Sequence, residues 1–149
     1  MTAQTDLIKL YSGQILELAA QIPFTERLKS PDASVKKRSP LCGSTVTVDL
    51  VMEAGRVRAF GQDVKACALG QAAASVVGSA IIGCSRDQIT AARDELRLML
   101  REDGPAPKAP FDGLELLRPA SAYKNRHASI LLTLDAASDA AEQAETLNA

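Results

Sequence analysis

The chain has 149 residues, 46% of them hydrophobic and 23% charged, with a formal net charge of −1; this suits one domain with one core and excludes a disordered chain. The charge balance and a pI near 5.8 leave no dominant basic surface for nucleic acid. No apolar run approaches the ~20 residues of a membrane span, and the start MTAQTDLIKLYSG lacks the basic and apolar stretches of a signal peptide, so a cytoplasmic location is expected.

Leu7, Leu10, Tyr11, Ile15, Leu18 and Ile22 recur at helical spacing, which predicts an amphipathic helix running to about Pro23. From Pro23 to Pro40, three prolines, several serines and the run Lys36-Lys37-Arg38 predict a long exposed loop. The period then becomes two: Val46, Val48, Leu50 and Met52 alternate with their neighbours as in a half-buried strand. Glu53-Ala54-Gly55 supplies a turn into a second strand at Arg56–Phe60, giving a hairpin, and a third short strand is expected at Asp63–Ala66. Cys67 to Ile82 is small, apolar and too long for a strand, so it reads as a buried helix. Ser85, with Gln88 three residues on, forms a capping-box signature before a helix burying Ile89, Ala92, Leu96 and Met99/Leu100. Gly104–Gly113 is a loop, followed by a short helical piece at Leu114–Leu117. The last helix starts near Ala120–Tyr123, with Leu131, Leu134, Ala137 (or Ser138) and Ala141 buried and Asp135 and Asp139 on an exposed face, before a tail from about residue 143.

Strands early and helices late indicate one α+β domain: an N-terminal helix, a small antiparallel three-stranded sheet and helices packed on one face of it. The three cysteines, Cys42, Cys67 and Cys84, are too few and odd in number for a disulfide framework. Cys42 precedes a strand, and Cys67 stands where a strand gives way to a helix, where N–H groups favour a thiolate. His127, the one histidine, lies near the start of the last helix. Two thiolates and an imidazole suit zinc or an iron–sulfur cluster rather than magnesium or calcium. Spacing alone does not bring them together. Taken alone, each of the three thiols reads as a small buried hydrophobe rather than a ligand, Cys84 most of all, and an unassisted His127 reads as an exposed or capping histidine.

Two strings carry a resemblance. Ser39-Pro40-Leu41-Cys42-Gly43 resembles the first cysteine motif, N-P-x-C-G-D, of the U-type iron–sulfur cluster assembly scaffolds (NifU N-terminal, IscU and SufU-like proteins). Ala66-Cys67-Ala68-Leu69-Gly70-Gln71-Ala72-Ala73-Ala74-Ser75 resembles the second, G-C-A-x-x-x-A-S-A-S. The likeness spans roughly residues 5 to 140. It implies an α+β scaffold, not an enzyme, that takes sulfur as persulfide from a cysteine desulfurase. Such a scaffold assembles a transient iron or [2Fe–2S] centre for recipient apo-iron–sulfur proteins, or in one branch binds zinc while relaying sulfur. A monomer or weak dimer is expected.

The family site has three cysteines and an aspartate, and only Cys42 and Cys67 match directly. Ser44 stands at the aspartate position and is a weak ligand. In Lys124-Asn125-Arg126-His127-Ala128-Ser129 the preferred alignment puts His127 at the third cysteine, and the other puts Ala128 there. The resemblance thus implies Cys42, Cys67 and His127 as metal or cluster ligands, with Cys42 and Cys67 as persulfide acceptors. The alternatives are a degenerate paralogue, acting as a metal-free interaction module for a desulfurase, and a Cys/His hydrolase built on His127, for which no nucleophile motif speaks.

Overall fold

The computed structural model describes residues 11–40 and 43–148. Along them run helix α1 (Gly13–Ala20), strands β1 (Ala33–Arg38), β2 (Thr45–Glu53) and β3 (Arg56–Lys65), helices α2 (Ala68–Ala80) and α3 (Arg86–Glu102), a 3-10 helix (Asp112–Ala122) and helix α4 (Lys124–Asn148). The strands form one antiparallel sheet in the order β1-β2-β3. This is the expected α+β architecture.

Alternation in β2 sends Val46, Val48, Leu50 and Met52 into the core. α4 lies across β2 and β1, with α2 and α3 beside it. The buried surface of α4 is wider than one stripe. Leu131, Leu134, Ala137 and Ala141 are buried as the periodicity required, but so are Leu132, Thr133, Ala136, Ser138 and Ala140. Small alanines let sheet and helices approach from several sides. Asp135 and Asp139, expected on an exposed face, are half-buried and ion-paired across the seam to Arg97 (3.7 Å) and Lys37 (2.6 Å). The helix continues through Asn148, where a tail was expected.

Helix starts follow their local chemistry. Ser12 Oγ accepts from Ile15 N–H at the start of α1; Leu7 and Leu10, counted in the same stripe, lie outside the described residues. Both bonds of the Ser85/Gln88 capping box are present.

Three expectations need correction. The segment 23–40 is not all exposed loop: its second half is β1, paired to β2 from Ala33↔Leu50 to Arg38↔Thr45. The first half passes the free edge of β3, where Gln62 N–H donates to Phe24 O at 2.8 Å, and then the outer face, where a Cβ at Gly61 would stand 2.5 Å from Glu26 O. Asp63–Ala66 is no separate strand, because β3 runs unbroken to Lys65. The short piece at Leu114–Leu117 is part of a longer 3-10 helix that buries Leu114, Leu117 and Ala120.

The crossing segment is fastened by Asp49, whose side chain is fully buried. Its carboxylate accepts from Arg27 Nε (2.6 Å) and Nη2 (3.1 Å), Leu28 N–H (3.1 Å) and Ser34 Oγ (2.6 Å).

Candidate functional site

Cys67 is the N-cap residue of α2, with extended backbone (φ −66°, ψ 170°). Its side chain makes no capping bond to the helix, so the sulfur is directed elsewhere. The Sγ lies 3.5 Å from Ser129 Oγ, one and a half turns into α4. Ser129 O–H in turn donates to Ser44 Oγ at 3.1 Å, one residue before β2. The openings of α2 and β2 and the N-terminal part of α4 therefore meet at one sulfur. Cys67 is half-buried, whereas Ser129 is 1% and Ser44 5% exposed, so the thiol faces the surface and the hydroxyls back it from inside.

Two glycines shape this end of the molecule. A Cβ at Gly70, three residues into α2, would stand 2.7 Å from Ser129 Oγ and 3.1 Å from Ser129 O, so the two helices touch backbone to backbone there. Gly43 takes a left-handed conformation (φ +72°) that a side chain disfavours. Beside it, Ser39 N–H bonds Ser44 O (2.8 Å) and Gly43 N–H bonds Ser39 O (3.1 Å), which joins the end of β1 to the start of β2. Cys42 lies outside the described residues.

His127 is 8% exposed. Its Nε2 lies 3.1 Å from both Ala120 O and Ser121 O, at the end of the 3-10 helix. Both neighbours are acceptors, so Nε2 carries a proton and donates to them. Residues two apart on an α-helix diverge by about 200°, so His127 and Ser129 point to opposite sides of α4. His127 instead borders a groove with Arg97, Arg101, Lys124, Ala128 and Asp135. The structure thus joins Cys67 to Ser44 and turns His127 toward the 3-10 helix. Among the described residues, no group of three or more His, Cys, Asp or Glu side chains is placed to hold a metal ion.

Cys84 has the ordinary role expected of it. It is 3% exposed, its Sγ donates to Ala80 O at 3.3 Å, and burial pushes its thiol pKa up despite the charge of Arg56. Ser129 is the site residue that sequence reasoning passed over. Its signal was a hydroxyl at a helix position that, with Leu132, Thr133 and Ala136, follows the buried period.

The likeness to known structures covers almost all of this framework. The crystal structure of a nitrogen-fixing NifU-like protein (N-terminal) from Brucella abortus superposes with a TM-score of 0.92 at 45% identity, covering 95% of this chain and 98% of that one. The chain belongs to the NifU-like, U-type scaffold family. The fold of the family extends to a putative iron–sulfur cluster assembly scaffold protein for the SUF system from thermophilic Fervidobacterium islandicum, with a TM-score of 0.79 at 17% identity over 90% of this chain and 98% of that one. No protein-family model matches the sequence, and no curated protein does. Within the U-type framework, the position expected to carry aspartate holds Ser44, which here accepts the hydrogen bond from Ser129.

Proposed function

We propose that the chain is an iron–sulfur cluster assembly scaffold of the sulfur-accepting kind. A cysteine desulfurase delivers sulfur as a persulfide to Cys67 or Cys42, and the protein passes sulfur, alone or with iron as a [2Fe–2S] cargo, to recipient apo-iron–sulfur proteins. It acts as a carrier and not as an enzyme. The observation that supports this reading is the setting of Cys67: a half-buried thiol at a helix start, facing away from its own helix, on a fold shared over 95% of the chain with a NifU-like domain. A thiolate is the nucleophile that persulfide transfer needs.

The ligand set of Cys42, Cys67 and His127 carries a structural condition. To join the two cysteines, the imidazole must leave the Ala120 and Ser121 carbonyls and turn to the other side of α4. The described donors near Cys67 are hydroxyls, which suit iron or zinc poorly. Metal cargo therefore depends on Cys42 and on a rearranged His127, whereas sulfur acceptance at Cys67 needs neither.

The test is incubation with a cysteine desulfurase and L-cysteine, then peptide mass mapping, with iron and zinc measured after aerobic and anaerobic purification. One added sulfur atom on the Cys67 or Cys42 peptide, lost in the matching Cys→Ala variant, supports the proposal. Neither added sulfur nor stoichiometric metal sinks it. A second reading, a metal-free module that binds the desulfurase, draws on Ser44 at the position expected to carry aspartate. Its signature is a stable complex with the desulfurase and no sulfur transfer.

A further inference from the structure

Among the described residues, an alcohol faces the Cys67 sulfur. Ser129 Oγ is 3.5 Å from it and bonds Ser44 Oγ at 3.1 Å. A neutral hydroxyl is a poor partner for a soft or borderline metal and a good donor to an anionic sulfur. Its hydrogen also rotates about the C–O bond. With Cys67 as a thiol, S–H donates to Ser129 Oγ while the Ser129 hydrogen points to Ser44. With an anionic sulfur, the Ser129 hydrogen turns toward it. Ser129 is 1% exposed, so bulk water does not compete for that donor. Gly70 keeps the space open, since a Cβ there would lie 2.7 Å from the hydroxyl oxygen.

We propose that Ser129 is a positioning residue for the persulfide sulfur on Cys67, donating a hydrogen bond that orients and shields it. This rests on the sulfur-accepting reading above and adds to it the residue that holds the sulfur. Loading is an exchange with no net oxidation. The Cys67 thiolate attacks the outer sulfur of a persulfide or polysulfide, a new S–S bond forms at Cys67, and the donor's S–S bond breaks. The donor leaves as a thiolate, or as a polysulfide dianion one sulfur shorter, keeping the bonding pair.

Inorganic polysulfide serves as the probe, so loading needs no desulfurase. Wild-type, Ser129→Ala, Ser129→Thr and Gly70→Ala proteins are loaded, and the lifetime of the Cys67 persulfide is followed by alkylation and peptide mapping. Thermal melts report folding in parallel. Loss of one charge-assisted hydrogen bond should shorten the lifetime about tenfold in Ser129→Ala, with recovery in Ser129→Thr. Gly70→Ala, which displaces the hydroxyl and keeps it, should shorten it as well. Should Ser129→Ala not fold, the Gly70→Ala comparison decides. An unchanged lifetime in a folded Ser129→Ala protein, no recovery with threonine, or no persulfide on wild-type Cys67 overturns the proposal. Wild-type protein that holds a Ser129-dependent persulfide from polysulfide, yet gains neither sulfur from a desulfurase nor metal, instead overturns the scaffold reading and leaves this one standing.

Discussion

Replacing Arg27 by alanine removes two of the four hydrogen bonds that reach the buried Asp49 carboxylate. Those remaining come from Leu28 N–H and Ser34, so the charge stays inside the fold with half its donors. A hydrogen bond to a charged group contributes about 1.5–3 kcal/mol. The Arg27 side chain is 54% exposed, and water screens its share. The expected loss is therefore about 2–3 kcal/mol, or a fall in Tm of roughly 5–10 °C for a domain of this size.

The pH dependence has a definite sign. Burial pushes the Asp49 carboxyl upward, but the hydrogen bonds from Arg27, Ser34 and Leu28 and the charge of Arg27 outweigh it and hold the pKa below the usual value. A depressed folded pKa stabilises the protein above the unfolded value of ~3.9, and that contribution is lost as pH falls through the folded value. The gap between wild type and Arg27→Ala should be widest near neutrality and should close below about pH 4. Thermal melts followed by circular dichroism from pH 7 to pH 3 measure it. A gap under ~1 kcal/mol at pH 7, or one that grows on acidification, refutes the assignment of Asp49 as the fastening point.

Three further outcomes are expected. His127→Ala removes the imidazole donor from the Ser121 and Ala120 carbonyls, of which Ala120 keeps Tyr123 N–H, and should cost about 1 kcal/mol in a chemical melt while sparing sulfur uptake at Cys67; loss of uptake in a folded variant would place the ring at the site. Cys84, buried and with a raised thiol pKa, should react with iodoacetamide at pH 7 only as the protein opens, so rapid native-state labelling mapped to its peptide would contradict its assigned role. Ser85→Ala breaks the capping box of α3 and should lower stability by about 1 kcal/mol, read as a shifted denaturation midpoint.

The elements read correctly from sequence are those whose signal is local. The capping box announced α3, the alternation in Val46–Met52 announced β2, and the small apolar run after Cys67 announced α2. β1 was hidden because what makes it a strand is β2. Ser34, Lys36 and Arg38 face outward and are exposed, and of the inward residues only Ala33 and Val35 are apolar while Lys37 reaches Asp139 of α4, so the hydrophobic alternation is too short to stand out. The same distinction governs the site. Cys67 at a helix start was legible because strand, cysteine and helix are adjacent in the chain. Ser129 was not, because its link to Cys67 spans 62 residues and its link to Ser44 spans 85. The facing of His127 toward the 3-10 helix depends on carbonyls six and seven residues before it, a contact that helical periodicity does not encode.

The central place of α4 bears on how the protein is made. α4 is the last element in the described chain order, yet it covers the inner side of β2 and β1 and is flanked by α2 and α3. While the ribosome is still producing residues before 124, Val46, Val48 and Leu50 have no finished surface to rest on. Domains gain stable packing only when the segments that complete their cores are available. The sheet is thus synthesised early and consolidated late, and during that interval its apolar face is open to holding chaperones and vulnerable to association with other nascent chains.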